Sequence, residues 1–229
     1  MSPSLGAPFR GFRDHSESPF FCAPGHTPEE TWDISVDRLA QLLVKLGPLA
    51  EAGPIEMSPT LLCSWHREIF GDLFPADAGR LRKRRPGRWD PEHVYFGGNV
   101  GTREPREIRA YRGTTPRELP RRLRKICAEF NVVAASIRQS ESVGIYDAVH
   151  AATRLYAKVL RAHPWVDGNL RATTVALNAA LLTLGLGTVG FEDLELHDDL
   201  LGIAFVGRND PYRPLAEHIT TIVNDMDSS

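Results

Sequence analysis

The sequence predicts a mainly α-helical domain that contains one short β-hairpin. Several long segments repeat apolar residues at the three- and four-residue spacing of an amphipathic helix. Two short segments near the middle of the chain are instead rich in β-branched and aromatic residues and are flanked by glycines. With 229 residues, of which 42% are hydrophobic, the chain can bury the core of one sizeable domain.

The first 30 residues differ in composition from the rest of the chain. Residues 1–30 are rich in Pro, Gly and Ser and have little periodicity, which predicts an irregular N-terminal arm. The folded domain is expected over 31–229. Its first helix is predicted by the apolar residues Val36, Leu39, Ala40, Leu43 and Leu46. The pair Gly47-Pro48 is expected to end this helix.

The second helix and the hairpin follow in order. Ser58 can cap a helix over SPTLLCSWHREIFGDLF, and Pro59 suits its first turn. The segments HVYFGGN and REIRAYRG predict the two strands of the hairpin, at about 94–112.

Four later segments predict helices. TTPRELPRRLRKICAEFNVV begins one, and SVGIYDAVHAATRLYAKVLRAH is a long amphipathic helix. VALNAALLTLGLG is apolar on nearly every side and is therefore expected at the centre of the fold. LAEHITTIVNDM predicts a terminal helix.

Composition excludes several classes of protein. No apolar stretch approaches the roughly 20 residues that cross a bilayer, so no membrane partner is expected. The N-terminus lacks the features of a secretory signal. Three scattered cysteines are too few for a disulfide framework or a zinc site, which favours a reducing cytoplasm.

The net charge of −2 conceals an uneven distribution. Residues 80–125 contain 15 Arg and Lys against 5 Asp and Glu, whereas residues 187–229 contain 2 against 9. The basic segment could attract nucleotide phosphates, RNA or an acidic protein. It could equally be a solvated face that the acidic end of the chain balances, and the sequence leaves both interpretations open.

The segment HPWVDGNLRATT, residues 163–174, has the chemistry of an anion site. A tight turn here leads into the apolar helix. The first N–H groups of a helix have no partner within the helix and lie at the positive end of its dipole. Phosphate is the expected occupant.

Two side chains of this segment could take part in chemistry. His163 could accept the proton of an attacking hydroxyl, or it could merely fill the end of the preceding helix. Asp167 offers the oxygen ligand that Mg²⁺ prefers, although an Asp before a helix is more commonly an N-cap.

The residues that follow could bind the phosphate itself. Gly168 allows close approach of the backbone, Asn169 can donate from its amide, and Arg171 can make a charge-assisted contact. The simpler alternatives are a Gly-Asn turn and a surface ion pair. The combination indicates phosphoryl or nucleotidyl transfer.

This segment resembles the signature of the Fic/Doc family, H-P-F-x-D/E-G-N-G/K-R-x-x-R/A, with Trp165 in place of the usual Phe. SWHREIFGDLFPADAGRLR resembles the family's upstream helix and its Ala-Gly-x-x-Arg turn. The predicted hairpin stands where the family has a flap that aligns the target segment. The resemblance covers about 58–185 and implies a Fic-like helical bundle with a β-hairpin flap.

The resemblance also implies an activity, which is the Mg²⁺-dependent transfer of AMP from ATP to a hydroxyl of a target protein. In that assignment His163 is the catalytic base and Asp167 binds the metal. The expected nucleotide-binding residues are Gly168, Asn169, Leu170 through its backbone, and Arg171.

Two positions depart from the family pattern. Leu170 replaces a Gly, and Thr174 replaces the second arginine, which helps hold the distal phosphates of ATP in the AMP-transferring orientation. Doc-like toxins lack both residues, have Lys at the first position, and are protein kinases. A Doc-like kinase and a catalytically inactive Fic-fold binding module are therefore the alternatives.

The remaining expectations concern inhibition of the protein, a nucleic-acid partner and two residues outside the segment. The family's inhibitory motif, Ser/Thr-x-x-x-Glu-Gly/Asn, is absent from the sequence, which leaves a separate antitoxin-like inhibitor as an open alternative. A nucleic-acid partner is not expected. His66 is expected to be packed or solvent-facing rather than catalytic, and Arg82 is expected to form a structural ion pair.

Overall fold

A computed structural model of the protein describes residues 22–83, 93–96, 109–112, 114–140, 142–190, 198–206 and 209–227. This part of the chain is mainly helical, as predicted. Its elements are α1 (Pro28–Glu51), α2 (Pro59–Phe70), β1 (His93–Phe96), β2 (Arg109–Arg112), α3 (Leu119–Gln139), α4 (Ile145–Ala162), α5 (Asn169–Thr183), α6 (Asp198–Val206) and α7 (Arg213–Asp227).

Helix α5 is the centre of the bundle, as a sequence that is apolar on nearly every side predicts. It packs against α1, α2 and α4, and α4 in turn packs against α3 and α7. Twelve of the residues of α5 are buried, so its two ends are the places where polar groups can meet solvent or ligand. The segment HPWVDG connects α4 to the N-terminal end of this central helix.

Helix α1 begins earlier and ends later than its sequence predicts. It begins at Pro28, inside the predicted arm, because Thr27 and Glu30 form a capping box. Residues 1–21 of that arm lie outside the described residues. The predicted stop at Gly47-Pro48 is wrong. Pro48 lies in the last turn, where its missing N–H removes only one helical bond, and the Ala52 N–H still closes on the Pro48 carbonyl at 3.2 Å.

Helix α2 begins as predicted. The Ser58 hydroxyl accepts the N–H of Leu61 at 3.1 Å, and Pro59 occupies the first turn. The buried face of the helix includes Trp65, His66 and Phe70. This face packs towards α5 and so brings His66 and Phe70 against the signature segment.

The two predicted strands pair in antiparallel register, with His93 opposite Arg112 and Phe96 opposite Arg109. The residues that connect them lie outside the described residues. Helix α6 was not predicted, because LLGIAFV is apolar throughout and shows no helical period. Of the helices that are described, none is both long enough and apolar enough to cross a membrane.

Candidate active site

The connection between α4 and α5 begins and ends with a residue in the left-handed conformation. His163 terminates α4 with φ 49° and ψ 64°, and Gly168 precedes α5 with φ 69° and ψ 13°. Helices commonly end at a left-handed residue, but that residue is usually glycine. A histidine in this conformation is uncommon and costs backbone energy, which is typical of functional sites.

The side-chain amide of Asn169 bonds back to the backbone of the connection between α4 and α5. The backbone N–H of Trp165 donates to Oδ1 of Asn169 at 3.1 Å, and Nδ2 donates to the Trp165 carbonyl at 3.0 Å. These two bonds fix which end of the amide is the nitrogen. Nδ2 also lies 3.1 Å from Nε2 of His163. The imidazole therefore accepts at Nε2, and its neutral form carries the proton on Nδ1.

The environment of His163 keeps the imidazole neutral at physiological pH. Burial lowers the pKa of His163 to about 4, and the positive charge of Arg82 acts in the same direction. The carboxylate of Asp167 opposes these effects without outweighing them. A neutral imidazole is the form that can accept a proton from a hydroxyl.

Arg82 ties three separate segments together. Its backbone N–H donates to the Pro164 carbonyl at 2.8 Å, and its Nε donates to the His163 carbonyl at 2.6 Å. Its Nη2 donates to the carbonyl of Thr114, just before α3. These three bonds go to backbone carbonyls, and the structural ion pair that the sequence predicts for Arg82 stays a prediction. The side chain is buried and orients the backbone that carries the imidazole.

His66 forms a second bridge to the same connection. The N–H of Gly79 donates to Nδ1 of His66 at 2.9 Å, so Nε2 carries the proton and donates to the carbonyl of Asp167 at 2.9 Å. Burial lowers the pKa of His66 to about 4, which preserves this neutral tautomer. The ring is stacked on Trp165, with centroids 4.6 Å apart.

Of the two positions that the sequence leaves open for His66, packed or solvent-facing, the structure has the packed one, and the sequence does not reveal the bridge. The bonded residues are 101 positions apart, and a histidine on an amphipathic helix has no local signal for such a contact. The Ala-Gly-x-x-Arg turn was the available clue. The N–H of its Gly79 donates to His66, and its Arg82 donates to the carbonyl of His163.

Gly168 is the point of closest approach between the connection and α2. A Cβ atom at this position would lie 2.3 Å from Cε2 of Phe70. The positive φ of Gly168 also disfavours any side chain. The backbone can therefore turn into α5 only if residue 168 is glycine.

The N-terminal end of α5 has the geometry of an anion site. No side chain caps it, because Gly168 occupies the N-cap position. The first helical bond is the one from the Ala172 N–H to the Gly168 carbonyl. The N–H groups of Asn169, Leu170 and Arg171 are thus the first of the helix and lack partners one turn back. The N-cap interpretation of Asp167 is wrong, since its carboxylate accepts the N–H of Gly168 at 2.6 Å.

Arg171 is fixed by the neighbouring helices. Its Cζ lies 4.9 Å from the ring centroid of Trp32 and 4.9 Å from that of Phe70, so the guanidinium lies between two aromatic rings. Its Nη1 donates to the hydroxyl of Ser35. A guanidinium ordered in advance loses less entropy when it binds a phosphate.

The two departures from the family pattern have different structural consequences. The side chain of Leu170 packs against the core, which leaves its backbone N–H at the helix end. Thr174 is fully buried, and its hydroxyl donates to the Leu170 carbonyl at 3.0 Å. This position therefore offers no cation to a ligand.

Asp167 is the residue of this segment with the chemistry to hold a metal ion. The described residues contain no group of three His, Cys, Asp or Glu side chains that could bind a metal by themselves. Mg²⁺ is usually bound through one or two carboxylates together with substrate phosphates and water. A half-buried carboxylate beside the N-terminal end of a helix fits that mode of binding.

Comparisons with known proteins find one matching family and similar solved structures of Fic domains. A sequence model of the Fic/DOC family matches residues 56–181, and no curated protein matches the chain. A Fic-domain signalling protein from Bacteroides thetaiotaomicron has a TM-score of 0.59 and 17% identity, over 89% of this chain and 70% of that one. The N-terminal Fic domain of a Bartonella effector protein has a TM-score of 0.53 and 15% identity, over 86% and 85%.

A third similar structure is Fic-1 from C. elegans, with a TM-score of 0.58 and 22% identity. The match covers 90% of this chain but only 53% of that one, so the chain spans about half of the longer protein. At these identities the similarity to solved structures supports a common fold.

Proposed function

Because the chain belongs to the Fic/DOC family, we propose that it transfers AMP from ATP to a hydroxyl side chain of a target protein, in a Mg²⁺-dependent reaction. The observation that carries this proposal is the contact between Asn169 and His163, at 3.1 Å, beside the uncapped N-terminal end of α5. A phosphate-binding end and a neutral base are thus adjacent.

Phosphate binding is the first step of the proposed reaction. The N–H groups of Asn169, Leu170 and Arg171 supply donors at the positive end of a helix dipole. The guanidinium of Arg171, held between two rings, supplies a charge-assisted contact. Leu170 does not weaken this cradle, because only its backbone takes part.

Proton transfer is the second step, and Asn169 couples it to the first. In the unbound protein the Nδ2 N–H of Asn169 points at the Nε2 lone pair of His163. A phosphate oxygen at the helix end competes for that N–H and so releases the lone pair. His163 then takes the proton of the target hydroxyl at Nε2.

In the proposed transfer, one bond to the α-phosphorus forms and one breaks. The hydroxyl oxygen attacks the α-phosphorus as its proton passes to His163, and the bond from that phosphorus to the bridging oxygen of pyrophosphate breaks. The products are an AMP-protein ester and pyrophosphate, with the proton on the imidazole. Asp167 would hold Mg²⁺, which neutralises the charge of the phosphates when it is bound.

A protein kinase is the second candidate, and Thr174 is the observation that favours it. The residue that would otherwise hold the distal phosphates is a buried threonine bonded to the Leu170 carbonyl. With no cation there, ATP could bind in the opposite direction and present its γ-phosphate to the hydroxyl. His163 would then have the same role.

ATP labelled separately at the α- and γ-phosphates tests both candidates. The full chain is incubated with a cell lysate, Mg²⁺ and each label. Label from the α-phosphate on protein supports AMP transfer, whereas label from the γ-phosphate alone supports the kinase. If the wild type labels no protein, the enzymatic proposal fails and the inactive binding module is favoured.

The His163→Ala variant is the control for the assigned base. We expect it to abolish labelling while ATP binding, measured by calorimetry, is retained. Unchanged labelling would show that another group accepts the proton. Chelation of Mg²⁺ with EDTA is expected to stop labelling by the wild type.

The proposal includes the partners and the compartment. The protein binds a nucleotide and a protein substrate, and an antitoxin-like protein is the candidate inhibitor. The proposed role is toxin-like and the proposed compartment is the cytoplasm. A reducing compartment accords with the three cysteines, all of which are free thiols.

A further inference from the structure

Helix α3 begins with arginines that the proposed reaction does not use. Five cationic side chains lie within nine residues and all are exposed. They are Arg117, Arg121, Arg122, Arg124 and Lys125, and we call them the basic cluster. Glu118 is the single acidic residue between positions 114 and 128. The cluster therefore has a strong local excess of positive charge.

The neighbouring acidic residues pair with only one member of the cluster, Lys125. Glu129 binds Lys158 at 2.5 Å, and Lys125 lies 3.9 Å from its other oxygen. Glu118 accepts the hydroxyl of Thr115 at 2.8 Å. None of the four arginines of the basic cluster forms an ion pair with any residue that the structure describes.

The position of the basic cluster is unfavourable for the helix. Arg121 and Arg122 lie in the first turn of α3, at the positive end of its dipole, where cations destabilise a helix. No side chain caps this end. Local features that conflict with stability are commonly functional. An acidic ligand would relieve the repulsion that the described part of the fold leaves in place.

The basic cluster is also linked to the candidate active site. Thr114 lies three residues before Arg117, and its carbonyl accepts Nη2 of Arg82. The same guanidinium donates through Nε to the carbonyl of His163. One buried side chain therefore connects the backbone at the entry of α3 to the backbone of the proposed base.

We propose that the basic cluster binds an acidic segment of the target protein and so brings its hydroxyl to His163. This inference rests on the proposed function. A protein segment fits better than a nucleic acid, because residues 114–128 contain no aromatic residue on which a base could stack.

Binding of a fluorescent peptide of alternating Glu and Ser to the full chain tests the inference. The triple variant R121Q/R122Q/R124Q removes the centre of the cluster. Its matched control, R138Q/R154Q/R161Q, removes three exposed arginines elsewhere on α3 and α4. We expect about tenfold weaker binding for the cluster variant alone, because several exposed ion pairs together contribute that much.

Three further measurements decide the outcome. The cluster variant is expected to melt at or above the wild-type temperature, so lost binding would not reflect unfolding. Equal losses in the two variants would overturn the inference, as would tighter binding of a single-stranded oligonucleotide of equal charge. A Gln and Ser peptide should not bind.

The failure of this inference can be separated from failure of the proposed function. If labelling from ATP occurs but neither the acidic peptide nor the protein substrate distinguishes the cluster variant from the wild type, the inference alone is wrong. If the peptide binds through the cluster and no label is transferred, the basic cluster is a binding surface for acidic segments and the catalytic proposal fails. In the supported case, the KM for the protein substrate rises and the KM for ATP does not change.

Discussion

The side-chain amide of Asn169 donates to Nε2 of His163 across 3.1 Å, while both of its ends are held by the backbone of Trp165. The group proposed to contact phosphate is therefore the same group that contacts the proposed base. This single amide makes the two halves of the site mutually dependent. It also fixes the shape of the connection between α4 and α5.

Replacement of Asn169 by Ala is expected to impair both stability and ligand binding. The substitution removes the bonds to Trp165 and leaves buried backbone groups without that partner, at a cost of about 1–3 kcal/mol. We also expect weaker ATP binding and loss of label transfer. Chemical denaturation and calorimetry measure the two effects separately.

Asn178 offers the matched control for this prediction. It is also buried on α5, and its amide bonds both to the Thr174 carbonyl and to the backbone of Val189. Asn178→Ala should lose similar stability without changing the affinity for ATP. If the two variants weaken ATP binding equally, Asn169 has only a structural role.

Replacement of Gly168 by Ala is expected to displace the N-terminal end of α5. The new methyl group would lie 2.3 Å from the Phe70 ring, and the left-handed backbone adds about 1–2 kcal/mol of strain. We expect a lower melting temperature together with loss of ATP binding.

Gly185 separates the two causes, because it has a φ of +80° and, apart from its chain neighbours, no described residue lies within 4 Å of the place that an alanine methyl group would occupy. Gly185→Ala should show only the modest cost of the left-handed backbone. ATP binding by Gly168→Ala at wild-type strength would mean that the helix end does not contact the nucleotide.

Replacement of His66 by Phe keeps an aromatic ring beside Trp165 but removes both hydrogen bonds. The Gly79 N–H loses its acceptor, and the Asp167 carbonyl loses this donor, at about 1–3 kcal/mol for each buried group. Because Asp167 belongs to the connection, we expect ATP affinity to fall as well. Denaturation curves and calorimetry test this expectation.

His150→Phe is the control for the His66 variant. His150 contacts Asp210 at 2.8 Å, on a different part of the fold. Its replacement should leave the affinity for ATP unchanged. An equal loss of affinity in both variants would indicate a general effect of histidine removal.

The protein is expected to lose stability as the pH falls from about 6.5 to about 4. The pKa values of His66 and His163 are lowered to about 4 in the folded state, mainly by burial. The unfolded chain therefore takes up protons first, and the free energy of unfolding decreases over this interval. Each pKa unit corresponds to about 1.4 kcal/mol per histidine. Above pH 6.5 these two groups cause no further change.

Unfolding curves of the wild type and of His66→Phe across this interval measure the effect. The variant should have a shallower dependence on pH, because one of the two neutral buried histidines is gone. Parallel curves would show that His66 is protonated equally in the folded and unfolded states.

Most helices followed from local pattern, and so did the proposed site. Helix α5 is apolar on nearly every side, and such a segment is stable only at the centre of a bundle. Ser58 and Pro59 marked the beginning of α2 because capping involves only neighbouring residues. The order His163, Asp167, Gly168, Asn169 and Arg171 indicated phosphate chemistry because the donors of one helix end are consecutive in the chain.

Other features depended on residues that are distant in sequence. The stop expected at Pro48 did not occur, since burial of Leu46 and closure at Ala52 hold the last turn of α1. The sequence of α6 has no spacing of apolar and polar residues that would distinguish a helix from a strand. The packing of Arg171 between Trp32 and Phe70 joins three helices, and no local pattern encodes such a contact.

The sequence by itself determined that a helix end, an imidazole and a carboxylate occur in one short segment. Only the tertiary structure decided how they are held, because His66 and Arg82 reach this segment from 101 and 81 positions away. Those bonds form only when α2 and the Ala-Gly-x-x-Arg turn that follows it pack against this segment and exclude water from the polar groups between them. The physical reason is burial, since a buried N–H or carbonyl must find a partner in the folded protein wherever that partner lies in the sequence.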